Sequence, residues 1–218
     1  MRTSLFSILI GAAVICTFSG LASAYPEPTL AGKLNTWDLD VVFSKPQQIS
    51  VNIPGDAKNA PARRFWYVIL TVTNNTRDDV DFYPYCDLMT DTLKITPAGK
   101  KVMDVVFKKI QLIQQPRYPF IERLGVANNR ILQGKDNAKD IAVIWPDFDG
   151  KTKKIDMFIG GLSNETVVIK HPVKKDKNGN PKKVYLQKTL QLKYAIGGNK
   201  KFRSDAKMKF LSKHWIMR

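Results

Sequence analysis

The sequence is poor in the residues that build most metal and nucleophile sites, with two cysteines and two histidines among 218 residues. His171 and His214 have no acidic cluster near them in the sequence, and such a pair makes a poor metal site. Cys86 lies in the sequence YCDL, without the flanking pattern of a cysteine enzyme. We therefore expect no metal, no cofactor, no catalytic residue and a buried, unreactive thiol.

Motifs for phosphate and calcium binding are also incomplete. Gly150-Lys151-Thr152 resembles the end of a phosphate loop, but the glycine required earlier in that loop is Trp145. The DFDG sequence at 147–150 resembles the start of a calcium loop and lacks the closing glutamate. A turn between two strands explains these residues better.

Long apolar runs are confined to the N-terminus. Arg2 precedes a largely apolar stretch at 5–21, and Ala22-Ser23-Ala24 supplies the small residues that a signal peptidase reads. The sequence therefore predicts a signal peptide at 1–24, cleavage after Ala24, and an exported protein that is periplasmic or secreted. An uncleaved membrane anchor is the weaker alternative, because polar residues and glycine interrupt a run that is already short for a span.

Residues 25–218 are enough for one well-buried domain, and we expect a single domain there. Cys86 is the one cysteine left in this range, which excludes an internal disulfide. Stability must then come from an apolar core.

Charge is distributed unevenly along the chain. Residues 25–150 carry 16 Lys or Arg against 15 Asp or Glu, whereas residues 151–218 carry 18 against 4. Solubility and protection of strand edges could explain such a basic third. An anionic partner, such as a polymer or a membrane surface, would explain it equally well. Because lysine outnumbers arginine sixteen to two there, we expect diffuse attraction and no specific nucleic-acid recognition.

Alternating apolar residues predict strands through most of the chain. At 65–73, Trp66, Val68, Leu70 and Val72 form one apolar face, which indicates a half-buried strand. A turn at 74–78 and a resumed pattern at 80–82 imply a second strand antiparallel to the first. Further strands are predicted at 38–43, 48–53, 88–95, 140–145, 154–159 and 206–218, the last carrying Trp215 as a core or edge residue.

One segment has helical spacing instead. Five Val and Ile residues recur at helical intervals within 101–115, which predicts a short helix ending before Pro116, although a pair of short strands would also accommodate them. Residues 118–137 are rich in turn formers and predict a long connection with little regular structure.

The Asn178-Gly179 pair predicts a hairpin with a two-residue turn. In that register Lys175 faces Lys182, Val173 faces Val184, His171 faces Leu186 and Val167 faces Leu190. Pro172 cannot donate to the ladder and Lys188 falls on the apolar face opposite Ile169, so we expect the pairing to loosen or bulge there.

The tip of this hairpin is the candidate binding site. It carries five lysines against Asp176 alone, and the facing pair Lys175 and Lys182 should repel unless an anion lies between them. The hypothesis is that a polyanion binds to Lys174, Lys175, Lys177, Lys182 and Lys183.

Three phrases of the sequence together resemble a known group of proteins: YVILTVTNNT at 67–76 followed by FYP at 82–84, GGLSN at 160–164, and KTLQLKY at 188–194. They resemble exported bacterial proteins of unknown function with immunoglobulin-like sandwiches. The resemblance implies a mainly β, antiparallel immunoglobulin-like sandwich outside the cytoplasm and no particular site residue. We expect a non-catalytic binding protein. The alternatives are an envelope enzyme or accessory subunit with a loop-built site, and a structural protein that joins a partner through a sheet edge.

Overall fold

The computed structural model describes residues 26–28, 35–57, 60–126, 130–198 and 206–218. The predicted signal peptide and its cleavage site lie outside these residues. The described chain forms thirteen strands, one α-helix and one turn of 3-10 helix at Lys135–Asn137: β1 Asp40–Phe43, β2 Gln47–Val51, β3 Arg63–Thr73, β4 Val80–Asp81, β5 Tyr85–Thr90, β6 Ile95–Pro97, α1 Asp104–Gln114, β7 Glu122–Arg123, β8 Arg130–Ile131, β9 Lys139–Pro146, β10 Lys154–Gly160, β11 Thr166–Lys175, β12 Pro181–Gly197 and β13 Lys207–Met217.

The strands form two large sheets. In the first, β3 lies between β9 on one side and β1 and β2 on the other, and β7 extends beyond β9. In the second, the order is β11, β12, β10, β5 and β6, with β13 also paired to β12. Pairing is antiparallel throughout the described ladders except between β7 and β9. The fold is therefore mainly β and antiparallel, as the sequence predicts.

One apolar cluster is shared by the two sheets. The first sheet contributes Trp66 and Val68 from β3 and Trp145 from β9, and the second contributes Met157 from β10 and Leu192 from β12. Because successive side chains of a strand point to opposite faces, these residues all come from the faces that the sheets turn toward each other. Burial of this cluster holds the two sheets together.

Strand β3 is buried on both faces, so the prediction of a half-buried strand is wrong. Its other face carries Phe65, Tyr67 and Ile69, which pack beneath α1 against Val106 and Ile110. The helix predicted at 101–115 is confirmed as α1, and it covers this second face. A strand with apolar residues at both odd and even positions is what such a covered sheet requires.

The hairpin predicted after β3 does not form. Strand β4 pairs with β8, because both edges of β3 are already taken by β9 and by β1 and β2. Asn74 directly follows β3. Its buried side-chain amide donates to the carbonyl oxygens of Asp78 and Ile131, at 2.9 and 3.0 Å. The turn is therefore tied to β8 and turns away from β3.

Other strand predictions are confirmed with shifted ends. The strands expected at 140–145 and 154–159 lie within β9 and β10, which belong to different sheets. The single strand predicted at 88–95 is two, β5 and β6, because the chain turns at 91–94 with Leu93 at φ +61°. The connection at 118–137 contains the short strands β7 and β8.

The thiol of Cys86 is buried, and burial raises its pKa well above the usual value, with the carboxylate of Asp87 adding to the shift. The expectation of a buried thiol is therefore confirmed.

In the part of the chain that the structure covers, no helix is both long enough and apolar enough to cross a membrane.

Replacing Trp66 with alanine tests the shared core. The indole is 1% exposed, stacks on Phe148 at 5.4 Å between ring centroids and donates through Nε1 to Asp147. We expect Trp66→Ala to lower the free energy of unfolding by about 3 to 5 kcal/mol, measured by urea denaturation. A loss below about 1 kcal/mol would contradict this position of the side chain.

Replacing Tyr194 with phenylalanine tests a buried hydroxyl. Burial raises the pKa of Tyr194 from 10.0 to about 12, and the hydroxyl has no hydrogen-bond partner in the described chain. Below about pH 9 this tyrosine is neutral in both the folded and the unfolded state. As pH rises the unfolded chain ionises first, so stability falls. We expect wild type to lose on the order of 1 kcal/mol relative to Tyr194→Phe between pH 9 and 11 in urea titrations. A constant difference between the two proteins would contradict the shift.

Candidate functional site

The predicted lysine hairpin is a two-stranded ribbon, residues 166–187, formed by β11 and the first part of β12. Strand β12 is 17 residues long, and its two parts pair with different strands. Its residues 181 and 183–187 pair with β11, whereas its residues 188–197 pair with β13 inside the second sheet. Every residue from 172 to 183 is exposed. We call this element the lysine ribbon.

The turn of the lysine ribbon differs from the prediction. Gly179 has φ +80°, but Asn178 does not adopt a positive φ, so the two-residue turn is wrong. The amide of Asp176 donates to the carbonyl of Asn180 at 2.8 Å, which leaves three residues in the loop. The cause is the side chain of Asp176, whose Oδ1 accepts the amides of Asn178 and Asn180, each at 2.9 Å. A carboxylate that bonds nearby amides stabilises such a wider turn.

The expected irregularity near Pro172 is confirmed as a large bulge. Lys170 faces Lys183 while Lys175 faces Pro181, so four residues of β11 lie opposite Lys182 alone. His171 organises the extra residues, because its Nδ1 accepts the amides of Val173 and Lys174 at 3.1 and 2.9 Å. Accepting at Nδ1 requires the tautomer that carries its proton on Nε2.

The turn and the bulge together shift the predicted register. Val167 faces Leu186, where Leu190 was expected, and Ile169 faces Val184. The predicted pairs of Val173 with Val184, of His171 with Leu186 and of Lys175 with Lys182 are therefore wrong. A like-charge pair does exist, but it is Lys170 opposite Lys183. Lys170 is absent from the predicted site because a regular ladder places it away from the tip.

The charges of the lysine ribbon are uncompensated. Its ammonium groups make no ion pair or hydrogen bond with the described chain, and this holds for Lys170, Lys174, Lys175, Lys177, Lys182 and Lys183. Asp176 is the ribbon's one acidic residue, and its Oδ1 is engaged by backbone amides. The structure thus brings all five predicted site lysines to one exposed element. The net positive charge of that element can attract an anion.

A buried ion-pair cluster lies at the base of the lysine ribbon. The Nζ of Lys188, a residue 3% exposed, is 2.8 Å from Oδ2 of Asp38 and 3.2 Å from Oε2 of Glu165. It also lies 5.3 Å from the ring centroid of Trp215. The prediction that Lys188 faces Ile169 is wrong, since Lys188 pairs with Met217 of β13. A lysine on the apolar face of a strand requires a nearby carboxylate, and this pattern in the sequence could have indicated the cluster.

The cluster joins four parts of the chain. Asp38 precedes β1, Glu165 precedes β11, Lys188 lies in β12 and Trp215 in β13. Glu165 also accepts the amide of Lys188 through its carbonyl at 2.9 Å. A buried ion pair of this kind contributes little relative to an apolar substitute, but an unpaired charge in the same place is costly. The cluster therefore restricts how the ribbon joins the second sheet.

The DFDG sequence at 147–150 forms a structural turn. Oδ1 of Asp147 accepts from Trp66 Nε1 at 2.8 Å and from the amide of Phe148 at 3.0 Å. Asp149 accepts the amide of Lys151 at 2.9 Å. Within the ranges that the structure describes, no three His, Cys, Asp or Glu side chains are grouped so that they could hold a metal ion.

The fold and the site together define a mainly β, antiparallel protein with an exposed lysine ribbon. No protein-family model, curated protein or solved structure matches the chain.

Replacing Lys188 tests the cluster. We expect Lys188→Met to destabilise the protein by about 3 to 5 kcal/mol, because Asp38 and Glu165 lose the shared cation. Combining it with Asp38→Asn and Glu165→Gln should restore most of that loss, since no buried charge is then left alone. Urea denaturation measures both. A single variant within about 1 kcal/mol of wild type would show that the ion pairs do not constrain the fold.

Proposed function

We propose that this chain is an exported, non-catalytic binding protein with an immunoglobulin-like sandwich, and that the lysine ribbon binds an anionic polymer. The observation that carries the proposal is the ribbon's uncompensated charge: six lysines against one aspartate, in an element whose tip is exposed at every residue. Export follows from the predicted signal peptide, and the sandwich from the two sheets that share a core together with the resemblance noted above.

The pairing within the ribbon favours an anionic ligand. Lys170 and Lys183 are cross-strand neighbours, and like charges directly opposite each other destabilise a ladder. An anion between them removes that repulsion and adds attraction. Lysine ammonium groups act as point charges on flexible stems, which suits a repeating polymer better than a ligand of one fixed shape.

The ribbon also offers contact area beside the charges. Val168 and Tyr185 face each other next to the lysine pair and are 50% and 66% exposed. A tyrosine presents an apolar ring and a polar hydroxyl at once. A polymer lying along this face would therefore meet lysines and an aromatic ring within one ladder.

Replacing ribbon lysines tests the proposal. In one variant Lys170, Lys174, Lys175, Lys182 and Lys183 become Gln. We expect weaker retention on heparin. The slope of log binding constant against log salt concentration should become shallower by on the order of one unit for each lysine–anion contact that is lost, since fewer counterions are released. Stability without ligand should hold or rise slightly, because the Lys170–Lys183 repulsion is removed. Heparin chromatography at several salt concentrations measures the first effect, and urea denaturation measures the second.

The matched control changes the net charge by the same amount at exposed lysines outside the ribbon: Lys45, Lys94, Lys100, Lys108 and Lys151 to Gln. This control variant should keep most of the wild-type retention on heparin and most of the wild-type salt dependence. Equal losses in both variants would reduce the effect to net charge and contradict a ribbon site. Binding to anionic lipid vesicles without binding to heparin would indicate a membrane surface instead of a polymer.

A further inference from the structure

A large open cleft lies beside the base of the lysine ribbon. Its volume is about 1170 Å³, and its walls come from residues 35–38, 76–85 and 161–164, with Gln187 at the ribbon's end. Three aromatic residues line it: Trp37, Tyr83 and Tyr85. A concave surface that combines aromatic side chains with several polar groups can hold a ligand, and this one is larger than a typical small-molecule pocket.

Two glycines lie against the residues that carry two of these rings. A Cβ on Gly160 would lie 2.0 Å from Cζ of Tyr85, so the ring rests directly on the glycine backbone. A Cβ on Gly161, which has φ +81°, would lie 2.4 Å from the carbonyl oxygen of Tyr83. Tyr83 and Tyr85 nevertheless remain 61% and 38% exposed. The Tyr85 ring is therefore held against the glycine backbone and stays partly accessible, which lowers the entropy lost when a ligand binds, whereas at Tyr83 it is the backbone that Gly161 holds.

The third aromatic wall is fixed by hydrogen bonds. The amide of Trp37 donates to Oδ1 of Asn164 at 2.9 Å, and Nδ2 of Asn164 donates to the carbonyl of Asn35 at 2.7 Å. The amide of Leu39 donates to the carbonyl of Leu162 at 2.8 Å. The segment before β1 is thus attached to the loop after β10, whose first residues lie against Tyr85 and Tyr83.

Hydrogen-bond acceptors lie among the rings. Asp78 and Asp81 line the cleft, are exposed, and have no ion pair or hydrogen bond from their carboxylates to the described chain. Asp79 is already engaged, because its Oδ1 accepts the amide of Gln133 at 2.9 Å. Free carboxylates accept hydroxyl hydrogens strongly, and Gln187 can both donate and accept.

We infer that this cleft binds a neutral saccharide chain. Pyranose rings have apolar C–H faces that pack on aromatic rings, and their hydroxyls would donate to Asp78 and Asp81. Four aspartates line the cleft against one arginine, Arg77, so its acidic lining disfavours an anionic ligand, and the net charge of +16 opposes the approach of a cation. The inference stands apart from the lysine ribbon, because none of the ribbon's lysines lines the cleft.

Isothermal titration calorimetry with three neutral hexasaccharides tests the inference, built of glucose, of N-acetylglucosamine and of mannose units. We expect at least one of them to bind. Tyr83→Ala and Tyr85→Ala should each weaken that binding about tenfold or more, because each removes a stacking ring. Gly160→Ala, which displaces the Tyr85 ring, should weaken it although all three aromatic side chains are still present.

Phe120→Ala is the matched control, since Phe120 is an aromatic residue 86% exposed outside the cleft, and it should leave saccharide affinity unchanged. The five-lysine Gln variant should also bind the saccharide normally, so that failure of this site and failure of the polyanion proposal are distinguishable. Tyr83→Ala keeps the test decisive if Tyr85→Ala does not fold. The inference is wrong if none of the three hexasaccharides binds at about 1 mM, or if Tyr83→Ala retains wild-type affinity in a folded protein.

Discussion

The buried ammonium of Lys188 is the constraint on which the rest of this arrangement depends. It lies where β12 passes from the lysine ribbon to its pairing with β13, and its carboxylate partners come from the segment before β1 and the loop before β11. An unpaired cation could not remain there, so these segments must meet at this point. The ribbon on one side and the saccharide cleft on the other are both built on that junction.

Strand β3 plays a comparable role on the other side of the molecule. It has partners at both edges and is buried on both faces, against the second sheet and against α1. Because β3 has no free edge, the strand that follows it, β4, pairs with β8 instead. The same turn carries Asp78 and Asp81 to the cleft, so the packing of one strand helps to determine where the cleft's acceptors lie.

The sequence predicted what local patterns determine. Period-2 alternation located β3, helical spacing located α1, and the composition around Cys86 indicated a buried thiol. It could not predict the partners of Lys188, because Asp38 is 150 positions away in the chain. It also missed the ribbon's register, which depends on hydrogen bonds from Asp176 and His171 to backbone amides and not on the hydrophobic pattern. The cleft was missed because its walls come from three separated segments.

The central claim is that the lysine ribbon is where an anionic polymer binds. Backbone amide NMR of the protein, titrated with a heparin octasaccharide, tests it most directly because it reports on each residue separately. The account predicts shifts concentrated at residues 170–183, with the amides around the buried Lys188 and in β3 unchanged. Shifts spread evenly over lysines throughout the chain, or no shifts in the ribbon while heparin still binds, would contradict it.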